Sequence, residues 1–224
     1  MKQETRSITV ADKGDIDSIW LVPEDYQAIL IIAHGAGSDM HSPFISFLQR
    51  SIAEQGIMTV KFNFPYMQQG RRAPDHAPIL EATWLAVIDA VLQDTKCRPE
   101  QLFLSGKSMG GRYASSMIAA QQQGFGGLIL YGYPLHPPGK PEKLRSAHLA
   151  AITCPMLFFQ GTRDALCRLD ILKAVLQGLD PVPELHVIDG GDHSFKVLKR
   201  LQRSEQSVWE EIARHSSAWI TRQL

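Results

Sequence analysis

A chain of 224 residues, 44% hydrophobic and 21% charged, suits one globular domain with a full core. Lysine plus arginine equals aspartate plus glutamate, 23 each, which argues against a nucleic-acid binder or a protein drawn to an anionic membrane. No stretch reaches the length of a membrane span, and the polar start Met1-Lys2-Gln3-Glu4-Thr5-Arg6 predicts no secretory signal. Cys97, Cys154 and Cys167 are odd in number and lack metal-site spacing, so they predict reduced thiols in a cytoplasm rather than disulfides.

In chain order, residues 7–11 and 18–22 read as strands of an opening hairpin, with a turn at Lys13-Gly14-Asp15. Residues 27–33 are apolar on both faces, as a central parallel strand is. Ser42-Pro43 predicts a helix start, with serine as N-cap and proline in the first turn; that helix runs to Gln55 and stops at Gly56. Residues 57–62 form the next buried strand, and a polar loop follows at 68–75. Residues 79–92 are a helix with Leu80, Trp84, Val87, Ile88 and Val91 on one face. A strand at 101–106, a helix at 108–122 and a strand at 127–132 come next. A proline-rich loop over 133–141 then leads to a short helix at 141–150. Strand 155–160, helix 169–176 and strand 185–188 precede a closing amphipathic helix at 204–222, with Trp209, Ile212, Ala213, Ser216 and Trp219 along one side. Strands alternating with helices predict an α/β fold: one mostly parallel sheet covered on both faces, in a single domain over 1–224.

The stretch Leu102-Phe103-Leu104-Ser105-Gly106-Lys107-Ser108-Met109-Gly110-Gly111 carries the chemistry. An apolar strand runs into Gly-x-Ser-x-Gly and then into a helix, the pattern of a sharp turn that presents a serine above a sheet. Glycines at 106 and 110 give room where strand and helix pass closely. The amides of Ser108 and of the next residue are expected to point together at the positive end of the helix. A serine hydroxyl needs a histidine to take its proton and a carboxylate to orient that histidine. Asp164, in Gly161-Thr162-Arg163-Asp164, and His193, in Gly190-Gly191-Asp192-His193, each follow a predicted strand, in the order Ser, Asp, His. Strand 29–33 runs straight into His34-Gly35-Ala36-Gly37. This turn predicts a second amide for an oxyanion, assigned to Ala36 with Gly37 as the near alternative, while Met109 supplies the first.

Other readings were weighed beside these. Asp164 has a rival role as a helix N-cap, Asp189 is its rival as the acid, and Asp192 reads as a loop former. His41, His76, His148, His186 and His215 read as surface or packing residues. No histidine or cysteine pair has zinc spacing, and neither a phosphate-binding nor a dinucleotide-binding glycine loop is complete, so no metal and no cofactor are expected. Cys167 reads as an inert thiol, and Trp84 and Trp219 as core.

These residues resemble the α/β-hydrolase superfamily, of the compact dienelactone-hydrolase-like sort, over about residues 5–222. Four segments are similar to a subgroup of small bacterial α/β hydrolases: 62–67 with 70–75, Gly106-Lys107-Ser108-Met109-Gly110-Gly111-Arg112, 132–141, and 161–164. The subgroup also resembles the hydrolase-like regions of a eukaryotic testis-expressed protein and of a histone-acetyltransferase complex subunit. The resemblance implies a Ser108–His193–Asp164 triad. Dienelactone hydrolases proper use a cysteine where this chain has Ser108, so the resemblance does not extend to their particular reaction.

Only residues 133–154 separate the strand after the elbow helix from the next one, too few for a large lid domain. An open cleft is expected, rimmed by Tyr66, Arg71 and Arg72 on one loop and by His136 and Lys140 on the proline-rich loop. His34, Gly35, Gly37 and Lys107 are also expected to contact substrate. The arginines suggest esters bearing a negative group. The leading expectation is a serine esterase or thioesterase acting on small molecules through an acyl-enzyme. An interaction module on the same fold, and an acyltransferase or peptidase with the same triad, stand as alternatives.

Overall fold

Period-two alternation along the central strands decides the layers of the computed structural model, which describes residues 1–121 and 124–224. Strands β1 (Lys2–Val10), β2 (Gly14–Val22), β3 (Ile29–Ala33), β4 (Met58–Phe62), β5 (Leu102–Lys107), β6 (Gly127–Tyr131), β7 (Met156–Gly161) and β8 (Glu184–Ile188) form one sheet in the order β1-β2-β4-β3-β5-β6-β7-β8. The β1–β2 and β2–β4 pairs are antiparallel, and the rest are parallel. In the buried strands, Ile29, Ile31, Leu104, Leu130 and Phe158 point to one face, while Leu30, Ile32, Phe103, Ile129 and Leu157 point to the other.

Each face has its own helical cover. Helices α1 (Pro43–Ala53) and α6 (Glu205–Gln223) bury Ile45, Leu48, Ile52, Val208, Ile212 and Ile220 on the second face. The first face is covered by α3 (Ala77–Thr95), α4 (Met109–Gln121) and α5 (Leu169–Gln177). The short helix α2 (Pro65–Gln68) follows β4. This is an α/β-hydrolase fold with a mostly parallel sheet. No helix among the described residues is long and apolar enough to cross a membrane.

Several local expectations need correcting. The first strands are longer than expected, because Val10 pairs with Gly14 and the turn falls at residues 11–13, where Asp12 takes φ 60°. Ser42 precedes α1, but its side chain makes no capping bond; the proline start and the Ser42 carbonyl, which accepts the Ser46 N–H, open the helix instead. Ser204 does cap α6, accepting the Ser207 N–H at 3.0 Å. The expected helix over 141–150 is only a 3-10 turn at Ala147–Ala151, so the β6–β7 connection carries no lid. The reach of α4 to Gln122 lies outside the described residues.

Two contacts fix the carboxyl end of β3, where the chain turns toward the site. The His34 ring is fully buried; its Nδ1–H donates to the Gly35 carbonyl at 2.8 Å and its Nε2 accepts the Phe64 N–H at 3.2 Å. The ring thus ties β3 to the segment after β4 and is kept from substrate, contrary to the expectation that it lines the cleft. Gly110, in the first turn of α4, lies against the same corner. A Cβ there would stand 2.5 Å from the His34 carbonyl oxygen and 2.8 Å from the Ala33 Cβ.

Both contacts give measurable consequences. Burial pushes the His34 pKa from 6.5 down to about 4, so the native ring stays neutral while the unfolded chain takes up a proton below its ordinary pKa. Stability is therefore full above that value and falls as pH drops toward 4. From about pH 7 to about pH 4.5, His34→Gln should lose about 2 kcal/mol less unfolding free energy than the wild type. Denaturant titrations at both pH values check this, and equal losses in the two proteins would refute it. Gly110→Ala should cost about 1–3 kcal/mol or more through overpacking. Gly178→Ala, whose added Cβ would meet only the Val175 oxygen at 3.5 Å, should stay within about 0.5 kcal/mol.

Candidate active site

Ser108 sits where β5 passes into α4, with φ 50°, in the left-handed region that a non-glycine residue rarely enters. Its carbonyl starts the helix by accepting the Arg112 N–H at 2.9 Å. Its own N–H donates to the Tyr131 carbonyl at 3.0 Å, continuing the β5–β6 ladder. This corrects one expectation: the Ser108 amide is already used, and the first-turn amide of Met109 is the one left without a helical partner by position. The glycines beside the serine supply space rather than unusual dihedrals. A Cβ on Gly106 would lie 2.3 Å from the Gly111 nitrogen, and Gly35 is close enough that its Cβ would stand 3.6 Å from that of Ser108.

The structure brings Ser108, His193 and Asp164 into one hydrogen-bonded line. Ser108 Oγ donates to His193 Nε2 at 2.8 Å, and His193 Nδ1–H donates to Asp164 Oδ2 at 2.7 Å. The Asp164 side chain is fully buried and the His193 side chain is 26% exposed, so the proton acceptor has access to the cleft while its anchor does not. Asp164 Oδ2 also accepts from Gln160 Nε2 at 2.6 Å, and Oδ1 accepts the Leu166 N–H at 2.8 Å. Burial alone would raise the Asp164 pKa. The His193 hydrogen bond and charge, the Leu166 amide and the Lys107 charge outweigh it and hold the carboxyl below its usual range. Asp164 is not the cap of α5, whose N-cap position is Arg168. Asp192 Oδ1 instead accepts the N–H groups of Ser194 and Lys196, shaping the His193 loop.

Two supports were not foreseen in these roles. Gln160 is fully buried in β7 and joins the Asp164 carboxylate to the Tyr133 N–H, which its Oε1 accepts at 3.0 Å. A lone glutamine in Phe158-Phe159-Gln160-Gly161 was the available signal. Lys107 was expected to face substrate. Its Nζ donates to the His193 carbonyl at 2.5 Å and lies 5.2 Å from the Phe195 ring centroid, so it braces the histidine loop. Burial pushes its pKa down to about 8.

Two recesses meet at Ser108, and both include Ala36 and Leu166. The smaller, about 300 Å³, is bounded by Met109, Arg112, Tyr113 and Arg145. The larger, about 670 Å³, contains His193, Lys107, Phe44 and Trp209. Ala36 is exposed at the junction, beside Gly35, which lines the larger recess. Gly37, with φ 69°, serves the turn and bounds neither recess.

The expected rim is largely elsewhere. Tyr66 is fully buried beneath the His34 and Phe64 rings. Arg71 is held by Asp75 at 2.6 Å and by Gln69, and exposed Arg72 bounds neither recess. His136 is buried; its Nδ1–H donates to the Pro137 carbonyl and its Nε2 accepts the Arg168 N–H, making it a loop strut. Lys140 is exposed and bounds neither recess. Arg112 and Arg145 bound the smaller recess, and Phe44 and Trp209 the larger, in place of the expected rim. Among the described residues, no cluster of three or more histidine, cysteine or acidic side chains is arranged to hold a metal.

Known structures share this architecture. A dienelactone hydrolase from Anabaena variabilis is 19% identical and superposes with a TM-score of 0.79, covering 99% of this chain and 97% of its own. An α/β serine hydrolase without lid from Xanthomonas campestris is 18% identical, with a TM-score of 0.71 over 100% of this chain and 94% of its own. Est1E from Butyrivibrio proteoclasticus, in a structure with ferulic acid bound, is 15% identical, with a TM-score of 0.77 over 97% and 98%. At these identities the likeness is one of fold. A family model described as an alpha/beta hydrolase domain matches residues 26–221, most of the chain, and the protein therefore belongs to the alpha/beta hydrolase domain family.

Proposed function

We propose that this protein is a serine hydrolase that cleaves carboxylic esters or thioesters of small molecules through an acyl-enzyme. The observation that carries the reading is the unbroken line from Ser108 Oγ through His193 to the buried Asp164 carboxylate, at 2.8 and 2.7 Å. Ser108 attacks the carbonyl carbon as His193 Nε2 takes its proton, and Asp164 stabilises the imidazolium. The carbonyl oxygen gains negative charge and accepts hydrogen bonds from the Met109 and Ala36 amides. His193 returns the proton to the leaving alcohol or thiol. Water activated by the same nitrogen then releases the acid.

On this reading residues 1–224 act as one domain, no cofactor takes part, and the partner is the small-molecule ester itself. The three cysteines stand unpaired, which fits a reducing, cytoplasmic setting. The fully buried Gln160 and the His193 brace from Lys107 support a catalytic role over a pure interaction module, because each bonds directly to a member of the Ser108–His193–Asp164 line.

Ser108→Ala should lower kcat toward an activated ester by on the order of 10⁴-fold or more while leaving the thermal transition in place. A fluorophosphonate probe, followed by peptide mass spectrometry, should modify the wild type at Ser108 and leave the variant unmodified. A folded wild type that neither reacts with the probe nor turns over any ester would overturn the proposal.

A further inference from the structure

The division of the cleft at Ser108 has a chemical meaning, resting on the hydrolase reading above. A protonated His193 must hand its proton to the leaving oxygen or sulfur, so the leaving group has to lie on the histidine side. That side is the larger recess, walled by Phe44 and Trp209, whose ring centroids are 5.7 Å apart. The acyl chain then runs past the Met109 amide into the smaller recess, which His193 does not line.

Two guanidinium groups bound that smaller recess. Arg112 comes from the first turns of α4, and Arg145 from the β6–β7 connection. Neither has a carboxylate within ion-pair distance among the described residues; Asp75, Asp170, Glu184 and Glu211 are taken by other arginines. Among the described residues the Arg145 guanidinium makes one long hydrogen bond, Nη1 to the Pro134 carbonyl at 3.4 Å, and the Arg112 guanidinium lies 5.2 Å from the Tyr113 ring centroid. Burial and the nearby Arg112 charge lower the Arg145 pKa. Two half-buried cations that repel each other, with no carboxylate paired to either among the described residues, form a pair of guanidinium groups suited to binding an anion.

The geometry points to a carboxylate-binding subsite on the acyl side, formed by Arg112 and Arg145, so that the substrate is the half-ester or half-thioester of a short dicarboxylic acid with an apolar leaving group. Water adds across the ester bond: the acyl carbon keeps the new hydroxyl, the leaving oxygen or sulfur takes the proton, and a dicarboxylate is released. Nothing is oxidised or reduced.

Three chromogenic or ultraviolet-read esters test this. They are the para-nitrophenyl half-ester of glutaric acid, neutral para-nitrophenyl pentanoate, and para-butanoyloxybenzoate, which moves the carboxylate to the leaving group. The ratio of kcat/KM for the half-ester to that for the pentanoate should fall about 10- to 100-fold in Arg112→Gln and in Arg145→Gln, with lysine variants retaining part of it. An unchanged ratio would overturn the subsite, and an arginine-dependent preference for the butanoyloxybenzoate would overturn its acyl-side placement. Calorimetric titration with glutarate separates this from the hydrolase reading. Binding to the wild type that is lost in the double variant supports the subsite even if no ester is turned over, and no binding at millimolar glutarate refutes it even if the neutral ester is cleaved.

Discussion

Everything in the site depends on how closely β5 and α4 approach, and on the glycines that permit it. Cβ atoms on Gly106 and Gly111 would each fall within 2.6 Å of the other residue's backbone, and Gly110 presses on the end of β3. With no side chains between them, strand and helix meet backbone to backbone. The turn becomes so tight that the residue between them takes a left-handed conformation. Ser108 holds that strain, on the order of 1–3 kcal/mol, because sheet and helix both claim its backbone. Met109 opens α4, so its amide has no partner within the helix, while the Ser108 N–H goes to the Tyr131 carbonyl. The strained Ser108 backbone and the free first-turn amide beside it therefore both follow from the tight strand-to-helix turn.

Behind the serine, the polar line continues inward without a gap: Ser108, His193, Asp164, Gln160 and the Tyr133 amide. A buried carboxylate is costly unless its oxygens are hydrogen-bonded. Here Oδ2 receives two donors and Oδ1 one. This satisfied network lets Asp164 keep its charge inside the protein and fixes the imidazole with its bare nitrogen toward the serine. Lys107 acts on the loop rather than on the ring, tying the His193 carbonyl to the strand that carries the nucleophile. The serine and histidine positions are thus coupled through the scaffold as well as through their own hydrogen bond.

The fold and the three outer members of this line, Ser108, Asp164 and His193, were legible in the sequence because each is an unusual residue type at a strand end, whereas Gln160 inside β7 was not. Glycine-flanked Ser108, Asp164 after Gly161-Thr162-Arg163 and His193 after Gly190-Gly191-Asp192 all interrupt apolar strand patterns. The walls of the cleft were not legible, because they are set by which side chains tertiary packing turns inward. Arg71 and Arg72 looked available in a polar loop, yet Asp75 four residues on captures Arg71. Arg112 lies in the helix that follows Ser108 and becomes a wall because α4 starts beside that serine. His34 and His136 look like site histidines. Each instead bonds backbone through both ring nitrogens, to partners that are 30 and 32 residues away at one end. Trp209 has the spacing of a core residue on α6, yet it packs against Phe44 at the cleft.

A formal net charge of zero also concealed the electrostatics of the site. Most carboxylates that make ion pairs do so on the surface, where Arg6 meets Glu4 and Asp94, Arg168 meets Asp170, and Arg222 meets Glu184. Such pairs are screened by water and add little to stability, but they occupy negative charge that is then not available elsewhere. Around Ser108 the balance is different. Lys107, Arg112 and Arg145 form no ion pair among the described residues, and Asp164 is the fully buried anion of the line. The larger recess balances Lys107 and Lys196 against Glu205 in part, whereas the walls of the smaller one hold Arg112 and Arg145 and no carboxylate, so that recess focuses positive potential. Partition of the charges, rather than their sum, therefore sets the field inside the cleft, and a chain of zero formal net charge carries two guanidinium groups without an ion pair among the described residues at the smaller recess.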